Sequence, residues 1–174
     1  LSMEEYGTWS LIIGILMYAV IIEPIISYWA TRETARSENS QKTSIFAAGV
    51  FSSIGMIIFL ITSLIVSDES VVNTDIIIFG IILVPGMFLY RITYSINLGW
   101  KPHLASYGFL ISEATKVPIV LTLVYFFNMG VLGIIITFFI AQNISIIFQI
   151  YVLREKIKGK IQFKYIRKWL KVSW

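Results

Sequence analysis

The chain has 174 residues, of which 57% are hydrophobic and 14% are charged, and its mean hydropathy is +0.80. Soluble domains are about 45–50% apolar and ~25% charged, so this composition excludes a soluble globular enzyme. With no cysteine and one histidine the chain cannot form disulfides, a thiolate zinc site or a histidine-rich metal cluster, and its formal charge of +4 lies beside long apolar runs, which indicates a membrane and not nucleic acid as the partner.

Five apolar stretches are long enough to cross a membrane, at residues 9–31, 44–66, 76–97, 104–127 and 130–153. A helix rises ~1.5 Å per residue, so about 20 residues cover the ~30 Å hydrocarbon core. These runs are too continuously apolar for barrel strands, and lipid offers no hydrogen-bond partner to an open backbone. The sequence therefore predicts an all-α polytopic membrane helix bundle with five transmembrane helices over residues 1–153, followed by a basic cytoplasmic linker over 154–174.

The lysines and arginines lie mostly on one side of these stretches. Cations follow the first and third stretches, and eight occur in residues 154–174, whereas the opposite connections carry acidic residues or no charge. The positive-inside rule predicts a multi-pass plasma-membrane protein with the basic side in the cytoplasm. Leu1 is then expected outside the cell. An odd number of spans and a first residue other than Met lead us to expect at least one further helix upstream.

Two charged residues lie near the middle of the fourth stretch, Glu113 and Lys116. A lone charge at that depth costs ~2.5–3.5 kcal/mol, so both must face protein, water or each other. Their spacing of three residues allows an ion pair on one helix face. Two interpretations remain open: the pair neutralises itself and fixes a neighbouring helix, or it lines a cavity. In the second, Lys116 attracts an anionic or phosphate-bearing substrate, and Glu113 either modulates that attraction or binds a coupling cation.

The fifth stretch carries a polar stripe without charge. Gln142, Ser145 and Gln149 follow a spacing of three and then four residues, which places them on one helix face. Such a stripe either lines a cavity or joins neighbouring helices by hydrogen bonds. Both interpretations stay open.

Three further charged residues are candidates, and two of them lie near the cytoplasmic side. Arg91 either snorkels to the interface beside an aromatic belt or guards the mouth of a cavity, and Arg32 has the same two interpretations. Glu23 lies deep in the first stretch, where it is either a cavity residue or a partner of Arg32.

Prolines and the tail add two structural expectations. Pro24, Pro85 and Pro118 each interrupt a different stretch, and broken helices are typical of transporters that move by rocking. In the tail, apolar residues alternate with cations, so part of it is expected to lie as an amphipathic helix on the inner leaflet and bind membrane lipids. Its apolar residues are Ile161, Phe163, Ile166, Trp169 and Leu170.

Three segments carry a resemblance to a known family: Leu-Ser-Met-Glu-Glu-Tyr-Gly-Thr-Trp-Ser-Leu at positions 1–11, Ser-Tyr-Trp-Ala-Thr-Arg at 27–32, and Phe-Lys-Tyr-Ile-Arg-Lys-Trp-Leu-Lys at 163–171. The first is similar to the segment before the second helix of polysaccharide and O-antigen flippases, in the multidrug/oligosaccharidyl-lipid/polysaccharide exporter superfamily. The last resembles the basic linker before the family's seventh helix. The chain departs from the family at Glu23-Pro24, where many members have an acidic residue followed by Gly and Leu.

The resemblance implies helices two to six of a protein with roughly twelve to fourteen, a partial N-terminal lobe of a MATE-like flippase fold. Its implied function is flipping lipid-linked oligosaccharide by alternating access, with the sugar and diphosphate in a cationic cavity and the polyprenyl tail in lipid. The implied partners are a polyprenyl-phosphate-linked glycan and the remainder of the transporter. The candidate cavity residues are Glu113, Lys116, Gln142, Ser145, Gln149, Arg91 and Arg32.

Two other functions remain open, a cation-coupled drug exporter of the same superfamily and a non-catalytic membrane scaffold. A membrane-embedded glycosyltransferase would need a catalytic acidic residue in a large loop, and the loops here are short. The sequence shows no catalytic triad, Walker loop or dinucleotide fingerprint, so we expect neither enzymatic activity nor a cofactor.

Overall fold

The structure is a computed structural model that describes residues 2–36, 39–69, 74–157 and 160–172. Within these ranges the chain forms helices and no strand, in agreement with the predicted all-α class. Leu1 and Lys158, which enter the expectations above, lie outside the described residues, as does the side chain of Leu170.

The first predicted span is two helices and not one. Helix α1 (Met3–Ala19) and helix α2 (Glu23–Ala35) meet at a 59° bend. A capping box begins α1, in which the Ser2 hydroxyl accepts from the backbone N–H of Glu5 and the Glu5 carboxylate accepts from that of Ser2. Pro24 occupies the first turn of α2, where its missing N–H costs least. A break near Pro24 was expected from the sequence, and the bend confirms it.

The other four predicted spans are present, three with bounds shifted by three residues or fewer and the last with the predicted bounds. Helix α3 covers Gln41–Glu69, and the next span joins α4 (Thr74–Phe79), a 3-10 turn (Gly80–Ile82) and α5 (Leu83–Trp100). Helix α6 (Pro102–Val120) continues into a π-helical segment (Leu121–Phe126), and α7 covers Gly130–Leu153. Among the described residues four spans are long and apolar enough to cross a membrane, and the bent α1–α2 pair would be a fifth.

The remaining prolines coincide with departures from regular α-helix. Pro85 lies in the first turn of α5, directly after the 3-10 turn. Pro118 lies inside α6 and precedes the π-helical segment. A proline inside a helix removes one backbone hydrogen bond and crowds the preceding turn, and π-helical segments are frequent at functional sites.

Helix α5 occupies the centre of the bundle, where it packs against α2, α3, α6 and α7. Its inward side chains include Val84, Phe88, Ile92 and Ile96, all buried in the main hydrophobic core. Helix α6 lies at the edge of the bundle, since few of its residues are buried inside the structure. Much of the α6 surface is therefore exposed on the outside of the helix bundle.

Helices α2 and α5 make a close backbone contact at Gly99. A Cβ atom at this position would collide with the backbone carbonyl of Thr31, and the Thr31 hydroxyl donates to the carbonyl of Ser95 at 3.0 Å. We expect Gly99→Ala to lower the free energy of unfolding by about 1–3 kcal/mol because the two backbones must separate. Gly49→Ala is the control, since a Cβ at Gly49 has no neighbour within 4 Å. Thermal unfolding of the purified protein measures both, and equal effects would contradict the prediction.

Helix α8 (Phe163–Val172) packs on the ends of α2 and α3. The Trp169 side chain is only 1% exposed, and Lys168 Nζ lies 3.0 Å from Glu33 Oε1 of α2. Phe163, in contrast, is exposed. The tail was expected to turn its apolar side chains to the leaflet. That expectation is wrong for Trp169, which is buried against this chain.

Several lysine and arginine side chains lie together at one end of the bundle. Lys101 Nζ and Lys156 Nζ both lie over the Trp100 ring, at 4.5 and 5.7 Å from its centroid, and Arg32 and the docked helix α8 are at the same end. The helices are compatible with a membrane-embedded protein. The assignment of this basic end to the cytoplasm stays a prediction.

Candidate functional site

A cavity of about 560 Å³ lies where α2, α5, α6 and α7 meet near the middle of their spans. Charged, hydroxyl and aromatic side chains share its wall, which is unusual at such depth because polar groups there are costly unless they are paired. Its lining residues are Glu23, Pro24, Ser27, Tyr90, Arg91, Tyr94, Ser95, Phe109, Ser112, Glu113, Lys116 and Gln142.

An ion pair between α2 and α5 forms one wall of this cavity. Arg91 Nη1 lies 3.0 Å from Glu23 Oε2, and the Ser27 hydroxyl donates to Glu23 Oε1. The Glu23 side chain is 1% exposed and that of Arg91 39%. Glu23 is thus a cavity residue, and its cation is Arg91 and not Arg32.

Arg91 lies deeper than the sequence suggested. It is nine residues before Trp100, the last residue of α5, which is about 13 Å along the helix axis. Its guanidinium turns across to α2 instead of extending to the interface. These contacts favour the cavity interpretation of Arg91 over snorkelling.

A second ion pair lies on α6. Lys116 Nζ is 2.6 Å from Glu113 Oε1, and the same ammonium lies 4.5 Å from the centre of the Phe138 ring of α7. The structural parts of both interpretations are met, because the two residues pair with each other and both line the cavity. A role for either residue in binding a substrate or a cation stays a prediction. The Glu113 side chain is 44% exposed, so this carboxylate also faces the open side of the cavity.

The charges in the described lining balance. The wall contains two carboxylates and two cations, and each cation is engaged with one of the carboxylates. A cationic cavity, as the resemblance implies, is not what the described lining shows. Any ligand charge must compete with an existing ion pair.

The polar stripe on α7 divides between two roles. Gln142 lines the cavity, whereas Ser145 and Gln149 do not. The Ser145 hydroxyl donates to the carbonyl of Gly108 on α6 at 2.6 Å, and Gln149 Nε2 donates to Ser145 Oγ at 3.1 Å. Asn97 Nδ2 on α5 donates to Gln149 Oε1 at 3.4 Å. Ser145 and Gln149 thus join three helices and are corrected from cavity residues to packing residues.

Arg32 is also outside the cavity. Its Nη1 donates to the Tyr28 hydroxyl at 3.2 Å, and its guanidinium carbon lies 5.2 Å from the centre of the Trp29 ring. These contacts are with residues of the same helix near its basic end. Arg32 is corrected from a cavity candidate to a residue of that end.

Several lining residues were not selected from the sequence, although helical spacing could have indicated them. Ser27 follows Glu23 by four residues, and Tyr94 follows Arg91 by three. Ser112 precedes Lys116 by four residues, and Phe109 precedes Glu113 by four. Residues three or four apart share a helix face, so residues at these spacings from a charge that lines the cavity are expected to line it as well.

A second, smaller cavity of about 130 Å³ adjoins the same glutamine. Its wall is mostly apolar, and Gln142 is common to both cavities. The glutamine therefore separates a polar space from an apolar one. The smaller cavity is lined by Trp9, Ile13, Leu16, Met17, Leu83, Met87, Phe138 and Gln142.

Among the residues that the structure describes, no cluster of three or more His, Asp or Glu side chains is placed to hold a metal ion. Comparisons with protein-family models, curated proteins and solved structures found no match to this chain. The function of the cavity is therefore argued from its own residues.

Proposed function

We propose that this chain forms part of one lobe of a membrane flippase with a MATE-like fold. In this proposal the complete protein moves lipid-linked oligosaccharide from the cytoplasmic to the outer leaflet. The proposal is supported by the mid-depth cavity and by the resemblance of three segments to polysaccharide flippases. Its partners are a polyprenyl-phosphate-linked glycan, membrane lipids and the rest of the transporter.

The observation that carries the proposal is the exposed carboxylate of Glu113. This side chain lies near the middle of α6 and is 44% exposed on the open side of the cavity. A charge at that depth is costly against hydrocarbon, so transmembrane charges face a bundle interior or a water-filled path. We infer that further helices enclose this side and that the cavity is half of a central, hydrated passage.

Alternating access provides the mechanism. The substrate headgroup occupies the passage while its hydrocarbon tail remains in lipid, and the two lobes rock around the site. The bend between α1 and α2 and the π-helical segment after Pro118 are the discontinuities about which helices of this lobe can shift. Transporter sites are typically built beside such discontinuous helices.

A double variant, Glu113→Ala with Lys116→Ala, tests the proposal in the full-length protein. Because both residues line the cavity and neutralise each other, the variant removes polar lining without leaving an unpaired charge. We expect transport of lipid-linked oligosaccharide in proteoliposomes to fall at least about tenfold, which corresponds to ~1.4 kcal/mol.

Arg32→Ala is the matched control, since Arg32 lies outside the cavity, and its transport should stay near the wild-type rate. Wild-type transport by the double variant would remove this ion pair from the mechanism. A wild-type protein that moves no lipid-linked oligosaccharide would instead favour a scaffold, in which these charges have no role in transport.

A cation-coupled exporter is the second candidate, favoured by Glu23. This buried carboxylate lines the cavity, where it could coordinate a coupling cation. Such a protein would drive efflux of cationic dyes from vesicles with an imposed ion gradient. Dye efflux together with no flipping of lipid-linked oligosaccharide would select this candidate.

A further inference from the structure

The side-chain amide of Gln142 lacks a partner in the cavity wall. Gln142 is 8% exposed, its Oε1 atom is fully buried, and no described residue forms a hydrogen bond with it. Native structures satisfy nearly all buried polar groups because an unmade hydrogen bond is costly. An amide that lines a cavity without an internal partner is therefore available to a ligand.

The surroundings of Gln142 restrict where its partner can come from. On one side lies the smaller, mostly apolar cavity, and on another lies Gly86, where a Cβ atom would come 2.9 Å from Oε1. The polar cavity is the remaining side. The terminal torsion of glutamine is soft, so the amide can turn its oxygen or its nitrogen toward that cavity.

The charges of the cavity restrict which ligand group fits beside the amide. A diphosphate would have to take Arg91 from Glu23 or Lys116 from Glu113, and separating such pairs is unfavourable. A cationic group would likewise have to take Glu23 from Arg91 or Glu113 from Lys116. A neutral hydroxyl avoids both conflicts, and it donates and accepts hydrogen bonds as the amide does.

We infer that Gln142 is a specificity-determining residue that hydrogen-bonds a hydroxyl of the glycan. This inference rests on the proposed flippase function and adds to it which part of the substrate this cavity holds. The glycan binds at Gln142, while the diphosphate lies outside the part of the passage formed by these ion pairs. A site that hydrogen-bonds a substrate hydroxyl discriminates against an analogue without it, because the buried polar group is then left unpaired.

The test uses the full-length transporter in proteoliposomes with two substrates. One is lipid-linked oligosaccharide extracted from host membranes, and the other is the polyprenyl diphosphate left when its glycan is removed. The measured quantity is the ratio of their transport efficiencies in competition. Gln142→Met keeps the shape of the side chain and removes the amide, whereas Gln142→Glu keeps an acceptor oxygen.

We expect Gln142→Met to lower the preference for the glycan-bearing lipid about tenfold, the value of one hydrogen bond. Gln142→Glu should retain more of that preference. Gln149→Met is the matched control: it removes a buried amide of the same helix outside the cavity, so total transport can fall but the ratio should not change.

The outcomes separate the two proposals. If the wild-type protein transports the glycan-bearing lipid and Gln142→Met leaves the ratio unchanged, the role of Gln142 is overturned and the flippase function stands. An equal change in the Gln149→Met ratio would also overturn it, because the effect would then be structural. If the wild-type protein transports neither substrate, the proposed function fails and this inference fails with it.

Discussion

Arg91→Ala is expected to lower the free energy of unfolding by about 3–5 kcal/mol, the usual effect of removing one partner of a buried ion pair. The reason is that Glu23, 1% exposed at the bend between α1 and α2, would keep, among the described side chains, only the Ser27 hydroxyl as a partner. The measurement is thermal unfolding of the purified full-length protein in detergent.

A double variant separates the loss of the pair from the burial of a lone charge. Replacing Glu23 and Arg91 together with leucine removes both charges, and such exchanges are often neutral or stabilising. We therefore expect the double variant to be more stable than Arg91→Ala. If it is less stable, or if Arg91→Ala unfolds like the wild-type protein, Glu23 does not depend on Arg91 as argued.

Trp169→Ala is expected to release helix α8 from the bundle. The indole is 1% exposed against α2 and α3, and truncating a buried tryptophan costs about 3–5 kcal/mol. Because α8 lies at the charged end, this loss should appear as local opening and not as global unfolding. Hydrogen exchange of residues 163–172 should accelerate about a hundredfold or more, which corresponds to ~3 kcal/mol.

Phe163→Ala is the control on the same helix. Phe163 is exposed and makes one edge-to-face contact with Phe46, at 5.8 Å between ring centres, which is worth about 0.5–1.5 kcal/mol. Its exchange should change at most about tenfold. If the two variants behave alike, Trp169 does not hold α8 in place.

The helices were largely predictable because hydropathy and length determine membrane spans almost locally. Helix α7 begins and ends where the apolar stretch does, and the break at Pro24 follows from its missing N–H. The 59° bend was not predictable, because it depends on what α1 and α2 each contact. The burial of Trp169 was missed for the same reason, since a helix with a basic and an apolar face suits a membrane surface as well as a protein surface.

The cavity was predicted in part. Glu113, Lys116, Arg91 and Gln142 line it because a charge or amide inside a span must avoid lipid, and that rule needs only the sequence. Periodicity could not separate Gln142 from Ser145 and Gln149, because all three share one helix face and differ only in depth and in the neighbours they meet. The pairing of Glu23 with Arg91 joins residues 68 positions apart, which a single sequence does not reveal.

That separation has a consequence for the order in which the chain is made. Synthesis proceeds from the N-terminus, so the span containing Glu23 is complete before α5 and Arg91 exist. At about 5–20 residues per second, the 68 residues between them take roughly 3 to 14 s. During this interval the nascent first span carries a carboxylate without its cation. The ion pair that joins α2 to α5 can therefore form only after α5 has been inserted.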